Sequence, residues 1–200
     1  MTTISRCRYN LGLAILAGLL FLAACTDSAP KFKSTDITGA EYGKSLELVD
    51  HTGKLRHLED FRGKAVVLFF GFTHCPDVCP TTLADTAQAL KTLGPEAERV
   101  QVLMVTVDPE RDTPDVLAKY VTAFDPRFLG LRGDPAATQR AAKAFKVYFE
   151  KRKSGDDYSV DHSGQSYVID PQGRLRLLVR PERIGADLAD DLRTVLKEKT

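Results

Sequence analysis

Cysteine is scarce in this 200-residue chain, which has four: Cys7, Cys25, Cys75 and Cys79. Two of them fall in an N-terminal segment with the marks of a targeting sequence. The two that remain cannot form the framework of a disulfide scaffold. A charge excess of either sign is also missing, since 28 Lys and Arg stand against 27 Asp and Glu. No basic stripe breaks that balance, which argues against a nucleic-acid partner. There is no internal repeat and no low-complexity tract. The almost unbroken apolar run Leu11 to Leu22 is too short for a comfortable transmembrane helix.

What is present at the N-terminus has an order of its own. Arg6 and Arg8 precede the apolar run, and Leu22-Ala23-Ala24-Cys25 closes it. That tetrapeptide resembles a bacterial lipobox, which implies cleavage before Cys25 and a lipid on its thiol. An ordinary secretory signal, or a short anchor with Cys25 incidental, is the plainer reading. Thr26 to Gly39 is polar and aperiodic and reads as a tether. The expected organisation is a signal peptide over 1–24, a flexible tether over 25–40 and one folded domain over 41–200. Removing 1–24, which carries two Arg and no acid, leaves 26 basic and 27 acidic side chains, a net charge of −1. The remaining 176 residues suffice for one domain with a substantial core. A disulfide is therefore not needed for stability.

The elements follow from periodicity. Ser45 to Val49, the turn 51–54 and Leu55 to Leu58 read as a hairpin. Ala65 to Phe70 and Val100 to Val107 are continuous β-favouring runs, the pattern of strands buried on both faces. Pro80 suits a helix start, Leu83, Ala87 and Leu90 give that helix its stripe, and Gly94-Pro95 stops it. Asp108 to Pro114 is a loop with Asp112 or Thr113 as cap, before a helix to about Phe124 carrying Val116 and Tyr120. A short strand 128–131 and an Ala-rich helix 135–145 follow. Beyond them come an extended stretch from Val147, broken by a polar loop over 151–157, a hairpin over 167–179 and a final helix over 186–197. This order predicts an α/β, thioredoxin-like fold: a central mixed sheet with helices on both faces and an added N-terminal hairpin.

Cys75-Pro76-Asp77-Val78-Cys79 then stands where a buried strand gives way to a helix. Functional groups gather at the carboxyl ends of strands in open α/β sheets, and a helix N-terminus favours thiolates. A lone close pair of this kind binds a soft metal, does redox chemistry or closes a small disulfide. Cu(I) is satisfied by two or three soft ligands, whereas structural zinc takes four, and few further ligands are in sight. His51 and His57 lie in the first hairpin and read as surface residues. His74 adjoins Cys75, where neighbouring side chains diverge. His162, in Asp161-His162-Ser163-Gly164, reads equally well as a solvated loop histidine and as a ligand.

Three blocks narrow this choice. Gly71 to Pro80 (Gly-Phe-Thr-His-Cys-Pro-Asp-Val-Cys-Pro) resembles the signature of the Sco/SenC family of copper chaperones. Val107 to Pro114 (Val-Asp-Pro-Glu-Arg-Asp-Thr-Pro) is similar to that family's second block, and Asp157 to Ser163 (Asp-Tyr-Ser-Val-Asp-His-Ser) to its third. The blocks occur in the family's order, and the similarity runs from about Ser45 to Lys197. The resemblance implies a thioredoxin-like fold and one copper ion, Cu(I) or Cu(II), held by Cys75, Cys79 and His162. It implies Asp108 and Asp161 near the site as shaping groups, although a turn or capping role is the plain alternative for Asp108.

It further implies delivery of copper to the binuclear copper site of cytochrome c oxidase subunit II, rather than enzymatic turnover. A periplasmic copper donor and a thiol reductant would act upstream. The lipid on Cys25 would hold the domain in the periplasm of a bacterial envelope, where many family members use a transmembrane anchor instead. The chief rival is a thiol–disulfide oxidoreductase acting on that site's cysteines through a Cys75–Cys79 disulfide, followed by a redox or copper sensor. The spacing of three residues departs from the two of thioredoxin, and Phe72 stands where a peroxiredoxin has Thr or Ser.

Overall fold

The computed structural model describes residues 30–155 and 157–198. The chain divides into two units, Met1–Lys31 and Phe32–Thr200, and the secondary structure described belongs to the second. In chain order it comprises β1 (Thr35–Asp36), β2 (Glu47–Asp50), β3 (Leu55–His57), β4 (Ala65–Gly71), α1 (Val78–Leu93), β5 (Val100–Thr106), α2 (Pro114–Thr122), β6 (Leu129–Arg132), α3 (Pro135–Ala144), β7 (Phe149–Ser154), β8 (Asp157–His162), β9 (Ser166–Ile169), β10 (Leu175–Val179) and α4 (Pro181–Lys197). The signal segment 1–24 and Cys25 lie outside the described residues. No helix among the described residues is long and apolar enough to cross a membrane.

Eight strands form one mixed sheet in the order β1-β10-β9-β4-β5-β6-β2-β3, and β7 and β8 pair separately. β4 runs parallel to β5, and β5 to β6. On the other side β9 pairs antiparallel with β4. All seven residues of β4 are buried, as its apolar run requires of a central strand. Successive side chains of a strand point to opposite faces. Phe69 turns its ring toward His162 and the start of α1, whereas Phe70 packs on Phe145 at the end of α3. Helices therefore cover both faces. α1 packs on α4, and Leu83, Leu90, Ile184, Leu188 and Leu192 are buried on these two helices. Burying each such side chain contributes about 1.5–3 kcal/mol.

Helix starts follow local chemistry. Thr113 and Asp134 cap α2 and α3 through side-chain oxygens that accept from Val116 N–H and Ala137 N–H, and a proline follows each cap. α1 begins at Val78, two residues before Pro80. The missing N–H of Pro80 lies among the four donors that any helix start leaves unpaired, so the helix loses nothing by enclosing it. Cys79 thereby joins the first turn. In α2 the buried residues are Leu117 and Val121, while Val116 is exposed, one position off the expected stripe. α4 starts at Pro181, ahead of the expected 186.

Two expectations need correction. The folded unit begins at Phe32 rather than at 41. The backbone N–H groups of Lys33 and Ser34 donate to the buried carboxylate of Asp191 at 2.7 and 2.9 Å, and β1 extends the sheet beside β10. The expected loop over 151–157 is mostly strand. Phe149 to Ser154 pair in register with His162 to Asp157. His162 is accordingly the last residue of a strand and not part of a polar loop.

Candidate metal centre

Gly71 ends β4, and its carbonyl accepts from Val107 N–H at 2.9 Å. The chain then turns through Phe72 to Cys75, where Cys75 N–H donates to the Phe72 carbonyl at 3.3 Å. The next turn is the first of α1, so the three-residue spacing places Cys79 N–H 3.4 Å from Cys75 Sγ, to which it donates. Cys79 is fully buried and Cys75 is 9% exposed, and both are free thiols. From the other side β8 brings His162, half-buried, with Nε2 at 3.5 Å from Cys79 Sγ. The ligand atoms of all three lie within 4.8 Å of one another, and among the described residues they form the single such cluster of His, Cys, Asp or Glu.

The surroundings fix each member. His162 Nδ1 lies 3.0 Å from the Ser163 carbonyl. A carbonyl only accepts, so Nδ1 carries a proton there and Nε2 is the nitrogen that faces the sulfurs. Phe69 and Phe72 hold the imidazole edge-on, with ring centroids at 6.0 and 5.7 Å. A Cβ on Gly71 would lie 2.9 Å from Cys79 Sγ and 2.5 Å from the Phe69 ring, so only glycine leaves room for that sulfur. The backbone after His162 passes close by Pro181 and Val78, since a Cβ on Gly164 would meet them at 3.3 and 3.5 Å.

The two thiols are unequal. A hydrogen bond between them leaves the shared proton on Cys79. That bond holds Cys75 down to about 4 against the cost of burial, and His162 and the N–H groups of Asp77 and Cys79 assist. The same bond and burial push Cys79 upward, with the charge of Asp112 adding to the effect. At neutral pH the pair is one thiolate and one thiol.

Asp112 was legible only as a candidate helix cap, and it does something else. Its buried carboxylate accepts from the Thr106 hydroxyl at 2.5 Å, the Thr73 hydroxyl at 2.6 Å and Thr73 N–H at 3.1 Å. It thus ties the loop leading to Cys75 onto the end of β5. Asp108 is also fully buried, and it binds Arg111 and the hydroxyl of Tyr158 on the strand that carries His162. Asp161 points outward and pairs with Arg152 across the hairpin at 3.0 Å, away from the sulfurs. His74 is exposed. His51 accepts from Gly130 N–H at 3.1 Å, and His57 sits before the 3₁₀ turn Leu58–Phe61, so neither joins the cluster.

Two sulfurs and one imidazole nitrogen, converging within 4.8 Å of one another, suit a single copper ion. Thiolates favour Cu(I), and the imidazole extends the set to Cu(II). A strand-to-helix dithiol on a mixed sheet with a terminal hairpin and helix defines a thioredoxin-like, metal-binding domain. The SCO1/SenC family model matches residues 34–197, and the chain belongs to that family. Its fold is similar to ScoI of Bradyrhizobium japonicum with copper bound, at 38% identity and a TM-score of 0.72 over 78% of this chain and 100% of that one. Apo Sco1 from Thermus thermophilus is 40% identical with a TM-score of 0.73, covering 84% and 97% of the two chains. The mitochondrial SCO2 homolog of Bos taurus is 40% identical over 152 residues, which is 74% of this chain and 57% of that protein. The chain thus spans little more than half the length of that mitochondrial relative.

Proposed function

We propose that this protein is a membrane-tethered copper chaperone. It binds one copper ion through Cys75, Cys79 and His162 and delivers it to the binuclear site of cytochrome c oxidase subunit II. The observation that carries the reading is the approach of His162 Nε2 to 3.5 Å from Cys79 Sγ, beside a second sulfur. Membership of the SCO1/SenC family supports it, and the Sco family is one of cytochrome c oxidase assembly proteins. A three-ligand site leaves a coordination position for an acceptor ligand. The ion then passes by ligand exchange, with His162 released before the sulfurs. A lipid on Cys25 holds the domain in the periplasm of a bacterial envelope, where a donor and a reductant serve it.

The test is to load the reduced domain anaerobically with one Cu(I) and mix it with the soluble copper domain of subunit II. Transfer in near-stoichiometric yield from the parent, and little from Cys75→Ser, is expected. Retention of all copper by the parent contradicts delivery.

The inequality of the two thiols favours a second reading, reduction of the acceptor's disulfide. The Cys75 thiolate attacks one sulfur of that disulfide and releases the other as a thiolate. Cys79 then gives up its proton and displaces the second thiolate, closing Cys75–Cys79. The acceptor gains two electrons and the domain is left oxidised. Rapid turnover of the oxidised acceptor domain without copper transfer supports this reading over the first.

A further inference from the structure

The hairpin that carries His162 is held to the domain at a second point, away from the sulfurs. Side chains two apart on a strand share a face, and on β8 this puts Tyr158, Val160 and His162 inward while Asp157, Ser159 and Asp161 are exposed. The Tyr158 hydroxyl donates to Asp108 Oδ1 at 2.8 Å, and the other carboxylate oxygen accepts from Arg111 Nε. Arg111 Nη1 donates to the Tyr158 carbonyl at 3.0 Å, and the guanidinium carbon lies 3.9 Å from the centre of the Tyr158 ring. The other strand is held as well, by Lys151 on Glu110 at 2.7 Å and over the Tyr158 ring at 4.7 Å.

The same loop grips the thiol half of the site. Thr106 Oγ accepts from Asp108 N–H at 3.0 Å and donates to Asp112, whose carboxylate holds Thr73. Loop 106–112 therefore anchors the dithiol through Asp112 and the histidine through Asp108. The two anchors are separable, because the sulfurs stand on α1 and its approach while the imidazole stands on the hairpin.

We infer that Asp108, Arg111 and Tyr158 are positioning residues that set His162 against the two sulfurs, and so decide whether the site holds Cu(II) as well as Cu(I). This rests on the copper reading of the site. Cu(I) is satisfied by two thiolates, whereas Cu(II) needs the borderline nitrogen. Removing the Tyr158 hydroxyl strips one partner from a fully buried carboxylate and frees the strand that presents the imidazole. Groups that orient a ligand change metal affinity by about 10–100-fold.

The experiment compares Tyr158→Phe and Asp108→Asn with the parent and with His162→Ala. Tyr158→Phe keeps the ring on Arg111 and guards against a variant that fails to fold. In the reduced, copper-free protein, amide exchange should quicken across β7 and β8 while α1 keeps its protection, and the His162 ring resonances should broaden. With copper, Cu(II) affinity should fall about tenfold relative to Cu(I) affinity, with weakened nitrogen coupling in the Cu(II) spectrum. Parent-like hairpin exchange and Cu(II) spectra in both variants overturn the inference, and so does an equal loss of both oxidation states. If His162→Ala itself binds Cu(II) as the parent does, the copper reading of the histidine is what fails. The exchange and ring data on the copper-free protein then still decide whether the three residues position it.

Discussion

Cys79 Sγ and His162 Nε2 lie 3.5 Å apart although 83 residues separate them in sequence. The contact depends on three placements at once: a central strand that ends in glycine, a helix that starts early enough to include Cys79, and a hairpin that returns a histidine over the same sheet end. Each can be disturbed separately.

Gly71→Ala tests the first. The added Cβ would fall 2.9 Å from Cys79 Sγ and 2.5 Å from the Phe69 ring. Forced overpacking of this kind costs about 1–3 kcal/mol. A lower urea midpoint and weaker copper binding are expected together. Parent-like copper affinity in this variant would show that the Cys79 sulfur does not need the space.

Asp112→Ala tests the loop before Cys75. The buried hydroxyl of Thr106 and the N–H and hydroxyl of Thr73 lose their acceptor. An unsatisfied buried polar group costs about 1–3 kcal/mol. Urea denaturation should register a loss of that size, and Asp112→Asn, which keeps an acceptor oxygen, a smaller one.

The unequal thiols give copper binding a pH dependence of definite sign. Near neutral pH Cys75 is already ionised, since its thiol is held down to about 4, and Cys79 keeps the proton. Ligation by both sulfurs must expel that one proton. Apparent Cu(I) affinity should therefore rise about tenfold per pH unit above about pH 4, and more steeply below it, where Cys75 is protonated too. Competition titrations at several pH values measure the slope. A flat profile would mean that the pair is fully ionised before copper arrives.

Asp191→Ala addresses the N-terminal boundary. Asp191 is buried and takes the N–H groups of Lys33 and Ser34. Without it the segment 32–40 should detach and become the first site of limited proteolysis, with copper stoichiometry unchanged. A cleavage pattern like that of the parent would show that β1 pairing alone holds the segment.

How much of this could be read in the sequence depended on where burial leaves a periodic trace. β4 is apolar throughout and β5 is so except at Gln101 and Thr106, because both faces are covered, and their runs were plain. The dithiol was isolated by the scarcity of cysteine. His162 was different. Its residue type and surroundings left it undecided, and only the order of three motifs joined it to the cysteines. The hairpin β7–β8 left no strand signal over 151–157, since its residues there are polar on both faces and inward packing rests on Tyr158 and Val160. Asp112 looked like a cap because it precedes a proline-initiated helix, but Thr113 takes that role, and the partner of Asp112 at Thr73 is 39 residues away. Contacts of that range are set by the fold and have no local signature. β1 is two residues long, too short for any period to show.

The most direct test of the central claim is an anaerobic Cu(I) titration of the folded domain in its dithiol and disulfide forms, with Cys75→Ser and Cys79→Ser alongside. One copper per chain is expected for the reduced parent, essentially none for the oxidised protein, and strongly weakened binding in either serine variant. Equal uptake by the reduced and oxidised forms would contradict it, because the ion would then be bound somewhere other than at Cys75 and Cys79.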